Sequence, residues 1–198
     1  MDNYAQNGGG MYLVQSTIDM AGAWRVTANQ AVSSGGGIYI YGDGDLELGE
    51  LVGNSARYGG GLFVDASGGD VVLNGTILDG NQASERGGGL YAHTSGTLEM
   101  TSVSINDNEA DDYGGGIWVG YTSVTLDNGA VTSNRSSKGG GAYFYETAGI
   151  GGLESISSDW GTGAFDNSSY DVIISTNRYD EYGSSATFTC SQATDECL

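Results

Sequence analysis

The chain has 198 residues, 36 of them glycine, no proline and two cysteines, with 25 acidic residues against six basic ones and a formal net charge of -19. Interior glycine costs a helix about 1 kcal/mol relative to alanine, so the composition excludes a helical protein; lacking proline and a period of three it excludes collagen, and no apolar run approaches the ~20 residues of a membrane span. A surface this acidic argues against nucleic acid and membrane insertion, while 38% hydrophobic and 10% aromatic residues suffice for a core.

Met1 is followed by Asp-Asn-Tyr-Ala, which reads as the middle of a repeat, so the chain is expected to be a segment with an added start. A Gly-Gly-Gly triplet then begins at positions 8, 35, 59, 87, 114 and 139, at intervals of 27, 24, 28, 27 and 25 residues. Five or six residues before each triplet stands an asparagine: Asn3, Asn29, Asn54, Asn81, Asn108 and Asn134. Two residues after it comes a small residue, Ala5, Ala31, Ala56, Ala83, Ala110 or Ser136. Three residues before it, from the second copy on, comes an aliphatic one: Val26, Leu51, Leu78, Ile105 or Val131.

Within each copy the apolar period is two, the period of strands. After the triplets come Met11/Leu13, Ile38/Ile40, Leu62/Val64, Leu90/Ala92, Ile117/Val119 and Ala142/Phe144. A second stretch holds Ile18/Met20, Leu46/Leu48, Val71/Leu73, Leu98/Met100 and Val124/Leu126, and the third is the aliphatic position before the asparagine. Each repeat therefore reads as three short strands and three corners. Such a unit cannot bury its inner face alone, but it can as one winding of a coil whose strands pair in parallel with the windings above and below, about 4.8 Å away. The expected fold is an all-β parallel β-helix of about six to seven three-strand coils. Asparagines stacked at one corner would pass amide hydrogen bonds along the axis. The expected ladder is Asn29, Asn54, Asn81, Asn108, Asn134 and, in an altered last copy Ile156-Ser-Ser-Asp159, Asp159.

Trp160-Gly-Thr-Gly163 replaces the last triplet and the register then fails. Residues 1–159 are therefore assigned to the repeats and 160–198 to a C-terminal β cap. Val172–Ile174 and Ala186–Phe188 are expected as cap strands, covering a core and strand edges that an open end would expose. The N-terminus shows no comparable cap, which suggests windings upstream. Cys190 and Cys197 are separated by six residues and read either as a local disulfide, which implies an oxidising compartment, or as two free thiols. With one histidine, His93, they cannot complete a four-ligand zinc site without carboxylates.

The repeat resembles the right-handed parallel β-helix repeats of bacterial surface proteins, and most of all the polymorphic outer membrane proteins, whose repeats carry Gly-Gly-Ala-Ile and Phe-x-x-Asn elements. The equivalents here are Gly-Gly-Gly-Ile/Leu and Val/Leu/Ile-x-x-Asn, as in Gly114-Gly-Gly-Ile117 and Val131-Thr-Ser-Asn134. The resemblance covers residues 3 to about 159. It implies a right-handed coil and an extracellular or bacterial cell-surface setting. Phenylalanine is absent before the asparagine and no translocator barrel follows, so that family's transport route is not carried over.

One residue after the first aliphatic in every copy is aromatic: Tyr12, Tyr39, Phe63, Tyr91, Trp118 and Tyr143. Alternation points it away from the core. The stripe reads as a platform for glycan or a partner protein, as rings of adjacent windings stacking on one another, or as both. Arg57, Arg86, Arg135 and Lys138 fall at the corner before the triplets and read as charge-balanced solvent residues, with Arg57 level with Glu85, Arg86 level with Tyr113, and Asp112 near Arg86. Neither Asp111 and Asp112 nor Asp180 and Glu181 stand out as a catalytic pair. Gly42-Asp-Gly-Asp45 and Asn106-Asp-Asn-Glu109 offer oxygens to calcium without completing a known loop, so no cofactor is assigned and calcium stays a minor candidate. His93 reads as a surface histidine. Asn74-Gly-Thr76, Asn134-Arg-Ser136 and Asn167-Ser-Ser169 fit a glycosylation pattern that is given no weight.

The function expected is that of a non-catalytic extracellular module, a structural spacer or adhesin segment of a bacterial surface protein that contacts glycan or protein through the aromatic stripe. The alternative is a β-helix polysaccharide lyase or glycoside hydrolase. Near-constant repeat intervals leave such an enzyme little room for loops that wall a cleft. An acidic mimic of DNA would need carboxylates spaced like phosphates, and the acids here are irregular.

Overall fold

The computed structural model describes residues 3–14, 18–65, 69–93, 96–145, 152–161, 166–168, 170–174, 177–179, 186–191 and 196–197. Among them every regular element is a strand, and the strands stack in parallel as a β-solenoid of about six turns. Equivalent residues of successive windings are register partners. Leu62 pairs with Ile38 below and Leu90 above, and Leu78 with Leu51 and Ile105. The glycine triplets line up the same way, Gly36 N donating to Gly59 O, Gly60 N to Gly87 O and Gly88 N to Gly114 O.

Each winding contributes to four sheets, one more than the sequence suggests. In the second winding the strands are Gln30–Ser34, Ile38–Tyr41, Gly44–Glu47 and Gly49–Val52, and their stacks are called the first to fourth sheets. The second, third and fourth sheets carry the large inward aliphatics, and Ile38, Ile40, Leu46 and Leu51 are all fully buried. The first sheet carries no large aliphatic inward; its buried apolar residues are alanines, with Ala31, Ala83 and Ala110 at most 3% exposed. Its strand runs directly into the triplet, which returns close against it. A Cβ on Gly36 would lie 2.4 Å from both the Ser55 and the Gly60 carbonyl oxygens. The middle glycine is thus required by close backbone approach, and the first by its left-handed backbone, with φ from +60 to +67 at positions 8, 35, 59, 87, 114 and 139.

The second apolar pair of the second winding is shifted from the expected one. Leu48 sits at a corner with φ +53 and 60% exposure, and Gly44 takes the inward position beside Leu46, where Ile40 Cδ1 fills the space. In the first winding Met11, Leu13, Met20 and Trp24 are only partly buried, and the Trp24 ring lies across Gly49 while its Nε1 donates to Glu47 O at 2.9 Å.

The parallel stacking also runs beyond residue 159. Trp160 is fully buried in the core and Val172–Ile174 joins the second sheet in parallel with Ala142–Phe144. Only then do antiparallel returns begin. Asn177–Tyr179 pairs with Val172–Ile174, Ala186–Ser191 with Gly152–Ser158, and Glu196–Cys197 with Ala186–Ser191. These returns occupy edges that would otherwise stay open. Cys190 and Cys197 are backbone register partners. Their side chains lie outside what the structure describes, as do Asp180 and Glu181.

Candidate binding face

The asparagine corner is the most ordered polar feature. Each amide oxygen accepts from the backbone N–H and the Nδ2 of the preceding asparagine, as Asn81 Oδ1 does from Asn54 at 3.0 and 3.1 Å. From Asn54 on, each Nδ2 also donates to the carbonyl of the aliphatic strand one winding back, as Asn81 does to Leu51 O at 2.8 Å. The run begins with Asn3, whose Nδ2 donates to Asn29 Oδ1 at 2.9 Å. It passes through Asn29, Asn54, Asn81, Asn108 and Asn134. Its next member is Asn167, not Asp159: Asn134 N and Nδ2 both donate to Asn167 Oδ1 at 3.0 Å. Asp159 is instead a register partner of Ala130 in the fourth sheet, and its Oδ1 accepts from Gly161 N. Buried asparagines whose amides are all committed fill a structural corner and offer no chemistry to a substrate. Asn134 and Asn167 are for the same reason closed to glycosylation, at 0% and 4% exposure.

The aromatic residues lie on the outer face of the second sheet, as alternation requires. They stack ring on ring along the axis: Tyr12–Tyr39 at 4.8 Å, Tyr39–Phe63 at 5.1 Å, Phe63–Tyr91 at 4.6 Å and Tyr91–Trp118 at 4.2 Å, with interplanar angles of 5–22°. Ring faces that meet each other cannot meet a sugar. Phe63 is 9% and Trp118 2% exposed, so the stripe presents edges and hydroxyls outward rather than an open platform. Tyr39 donates to Asp65 Oδ2 at 3.1 Å, and burial followed by the Asp65 charge pushes its phenol up. Burial likewise pushes the Tyr91 phenol up to about 12, against the opposing pull of Arg86. Tyr143 leaves the stack and meets Tyr113 at 4.8 Å with a 59° tilt.

A second row, which sequence reasoning treated only as a solvent corner, stands beside the stripe. It consists of the residues that immediately precede the triplets: Ser34, Tyr58, Arg86, Tyr113 and Lys138. The Arg86 guanidinium lies over three rings, Tyr113 and Trp118 at 5.6 Å and Tyr58 at 6.0 Å, and the Lys138 ammonium is 4.8 Å from the Tyr113 ring centre. Tyr58 tilts against Tyr91 at 5.7 Å, which joins the two rows. Arg57 pairs with Glu85 at 2.6 Å as its position implies, and Tyr58 donates to the same carboxylate at 2.7 Å. The Tyr58 hydroxyl, then the Arg57 guanidinium, hold Glu85 below the usual carboxylate range. No ion pair joins Arg86 to Asp112 among the described residues. The signal in the sequence was the recurrence of Tyr, Arg and Lys at one offset from the triplet. His93 is exposed at the far end of its strand, edge-on to Tyr121 at 5.0 Å.

A shallow groove follows the axis over the first sheet. Its volume is about 480 Å³ over the early windings, and a further 280 Å³ continues past Glu109 and Asp111 to Ser168. Glutamines, serines, Arg57, Glu109 and Asp111 form its sides. No group of three or more His, Cys, Asp or Glu side chains that could hold a metal occurs among the described residues. Of the calcium candidates, Asp43 accepts from Asp70 N, Asn106 from the Thr132 hydroxyl, and Asn108 is in the ladder. Among the described residues no helix is long and apolar enough to cross a membrane.

No protein-family model matches the chain, and no curated protein or solved structure matches it significantly.

Proposed function

We propose that this chain is a non-catalytic extracellular module of a bacterial cell-surface protein, a stiff spacer that also carries a contact face for glycan or a partner protein. The observation that supports this best is the vertical register of the second, third and fourth sheets, which runs without a shift through successive parallel windings, while the first sheet absorbs the differences in repeat length as bulges. A scissile bond needs enclosing walls and groups at unequal heights. A repeat whose core strands sit over their own equivalents offers instead a uniform lateral surface and axial stiffness. The contact face moves from the interior of the aromatic stripe, whose ring faces are occupied, to the neighbouring row of Tyr58, Arg86, Tyr113 and Lys138. The test is binding to glycan arrays and to cells by the unaltered chain and by Tyr58→Ser and Tyr113→Ser variants. Loss of binding in the variants with folding intact is expected; undiminished binding overturns this face as the contact.

The export setting has its own test. Cys190 and Cys197 are expected to be joined, so alkylation under non-reducing conditions should leave the mass of the secreted protein unchanged. The enzyme alternative draws on one specific feature, the axial groove, whose sides carry Glu109 and Asp111 on one face of the chain two residues apart. Release of reducing ends or unsaturated products from polysaccharide, abolished by E109Q and D111N, would favour it over the spacer reading.

A further inference from the structure

Three of the four basic residues at the triplet corner differ from the fourth. Arg57 is neutralised by Glu85, but Arg86, Arg135 and Lys138 have no ion-pair partner among the described residues, although the chain holds 25 acids. Arg86 and Lys138 are two windings apart and lie over the same ring, Tyr113, at 5.6 and 4.8 Å. Two like charges are thus held at one aromatic side chain. Glu85, the residue before Arg86, is already committed to Arg57 and Tyr58. Beside them Trp118 is 2% exposed, and its Nε1–H has no hydrogen-bond partner, a rare state for a buried donor. The Lys138 ammonium donates to the Tyr113 hydroxyl at 3.3 Å and Arg86 hydrogen-bonds the Tyr91 hydroxyl, so guanidinium, ammonium and indole N–H make a cluster whose two charges meet neutral phenols and no carboxylate among the described residues.

We propose that Arg86 and Lys138 form an anion site that takes the carboxylate of a single acidic sugar residue, a hexuronate, in a bound glycan; this rests on the contact-face reading above. The guanidinium can take a carboxylate through two parallel N–H donors, and the ammonium adds a point charge. The ring edges and hydroxyls of Tyr58, Tyr113 and Tyr143 beside them, whose faces the cations and one another occupy, offer contacts to the rim of a sugar. The surrounding surface is negative. The site therefore selects isolated carboxylates on an otherwise neutral chain over a continuous polyanion, which the net charge repels.

The experiment is titration of the whole chain with a galactotriose whose terminal residue is oxidised to galacturonate, with galactotriose and with triglutamate, followed by tryptophan emission and calorimetry. The mono-uronate is expected to bind and to perturb emission, with affinity falling at least tenfold in R86Q and in K138Q and weakening as salt rises. R86K should recover part of the loss. Both variants change partly or fully exposed side chains, and an unaltered circular dichroism spectrum confirms their fold. Equal binding of galactotriose, insensitive to both substitutions, overturns the anion site while leaving the contact face standing. Equal binding of triglutamate overturns the sugar class. Binding of none of the three overturns the proposal, and only a chain that binds neither arrays nor cells overturns the contact-face reading with it.

Discussion

At the scale of single residues, the asparagine corner and the middle glycine are the least replaceable positions. Asn81→Ala removes the acceptor of Asn54 N and Nδ2 and the donor to Leu51 O, all buried. An unsatisfied buried group costs about 1–3 kcal/mol, so denaturant unfolding should show a loss of about 4 kcal/mol. Asn81→Asp should lose as much, because the carboxylate faces the Leu51 carbonyl and Asn108 Oδ1, acceptors that need a donor. Gly60→Ala places a Cβ 2.3 Å from the Gln82 carbonyl oxygen, backbone that has nowhere to move. It should fail to fold, whereas alanine at Gly53, which has nothing within 4 Å, should cost only the strain of a left-handed backbone, about 1 kcal/mol. The stacked phenols set the alkaline limit. Tyr39 and Tyr91 are raised in the folded chain and titrate near 10 once unfolded. The unfolded chain therefore releases protons first, so their contribution is intact below pH 10 and declines as pH climbs toward 12 and beyond. Phenolate absorbance should rise together with loss of the β-sheet signal.

At the scale of the strand, the second sheet is held from both sides, by aliphatics within and by stacked rings without. Trp118→Ala should cost about 3–5 kcal/mol, as for other buried aromatics. Glu85→Gln, which breaks only a half-exposed pair, should cost less than about 1 kcal/mol in the same denaturation assay. What could be read from the sequence follows from the same distinction. Three strands per winding were legible because Ile38/Ile40, Leu62/Val64 and Val71/Leu73 show alternating bulk. The first-sheet strand was not, because its inward residue is alanine and its return pass is glycine, so neither leaves an apolar period. Asp159 mimicked a ladder residue by standing three after Ile156, but the ladder recognises a donor amide, and a carboxylate cannot donate to Val131 O as Asn167 does at 2.8 Å. Of the candidate site, the ring positions were legible from alternation. Their mutual stacking was not, since period two tells which side a residue faces and not whether a neighbour covers it. The Arg86 and Lys138 row emerged only once Tyr113 was seen between them.

At the scale of the whole molecule, each winding touches only those above and below, so stability is close to a sum over neighbours. Excising residues 81–107 rejoins Gly80 to Asn108 and keeps every column in register. That shortened chain should retain its β spectrum with a smaller denaturant dependence, in proportion to the surface lost. Removing half as many residues should unfold it, because every side chain beyond the cut would face the wrong neighbour. The ring stack has an optical consequence. Light absorbed by Tyr12, Tyr39 or Tyr91 lands on chromophores within 4.2–5.1 Å of the next ring, and the series ends on Trp118, the lowest-energy acceptor in it. Excitation should funnel down the rod to that indole. Parting the windings would then darken it, so its emission reports whether the column is intact.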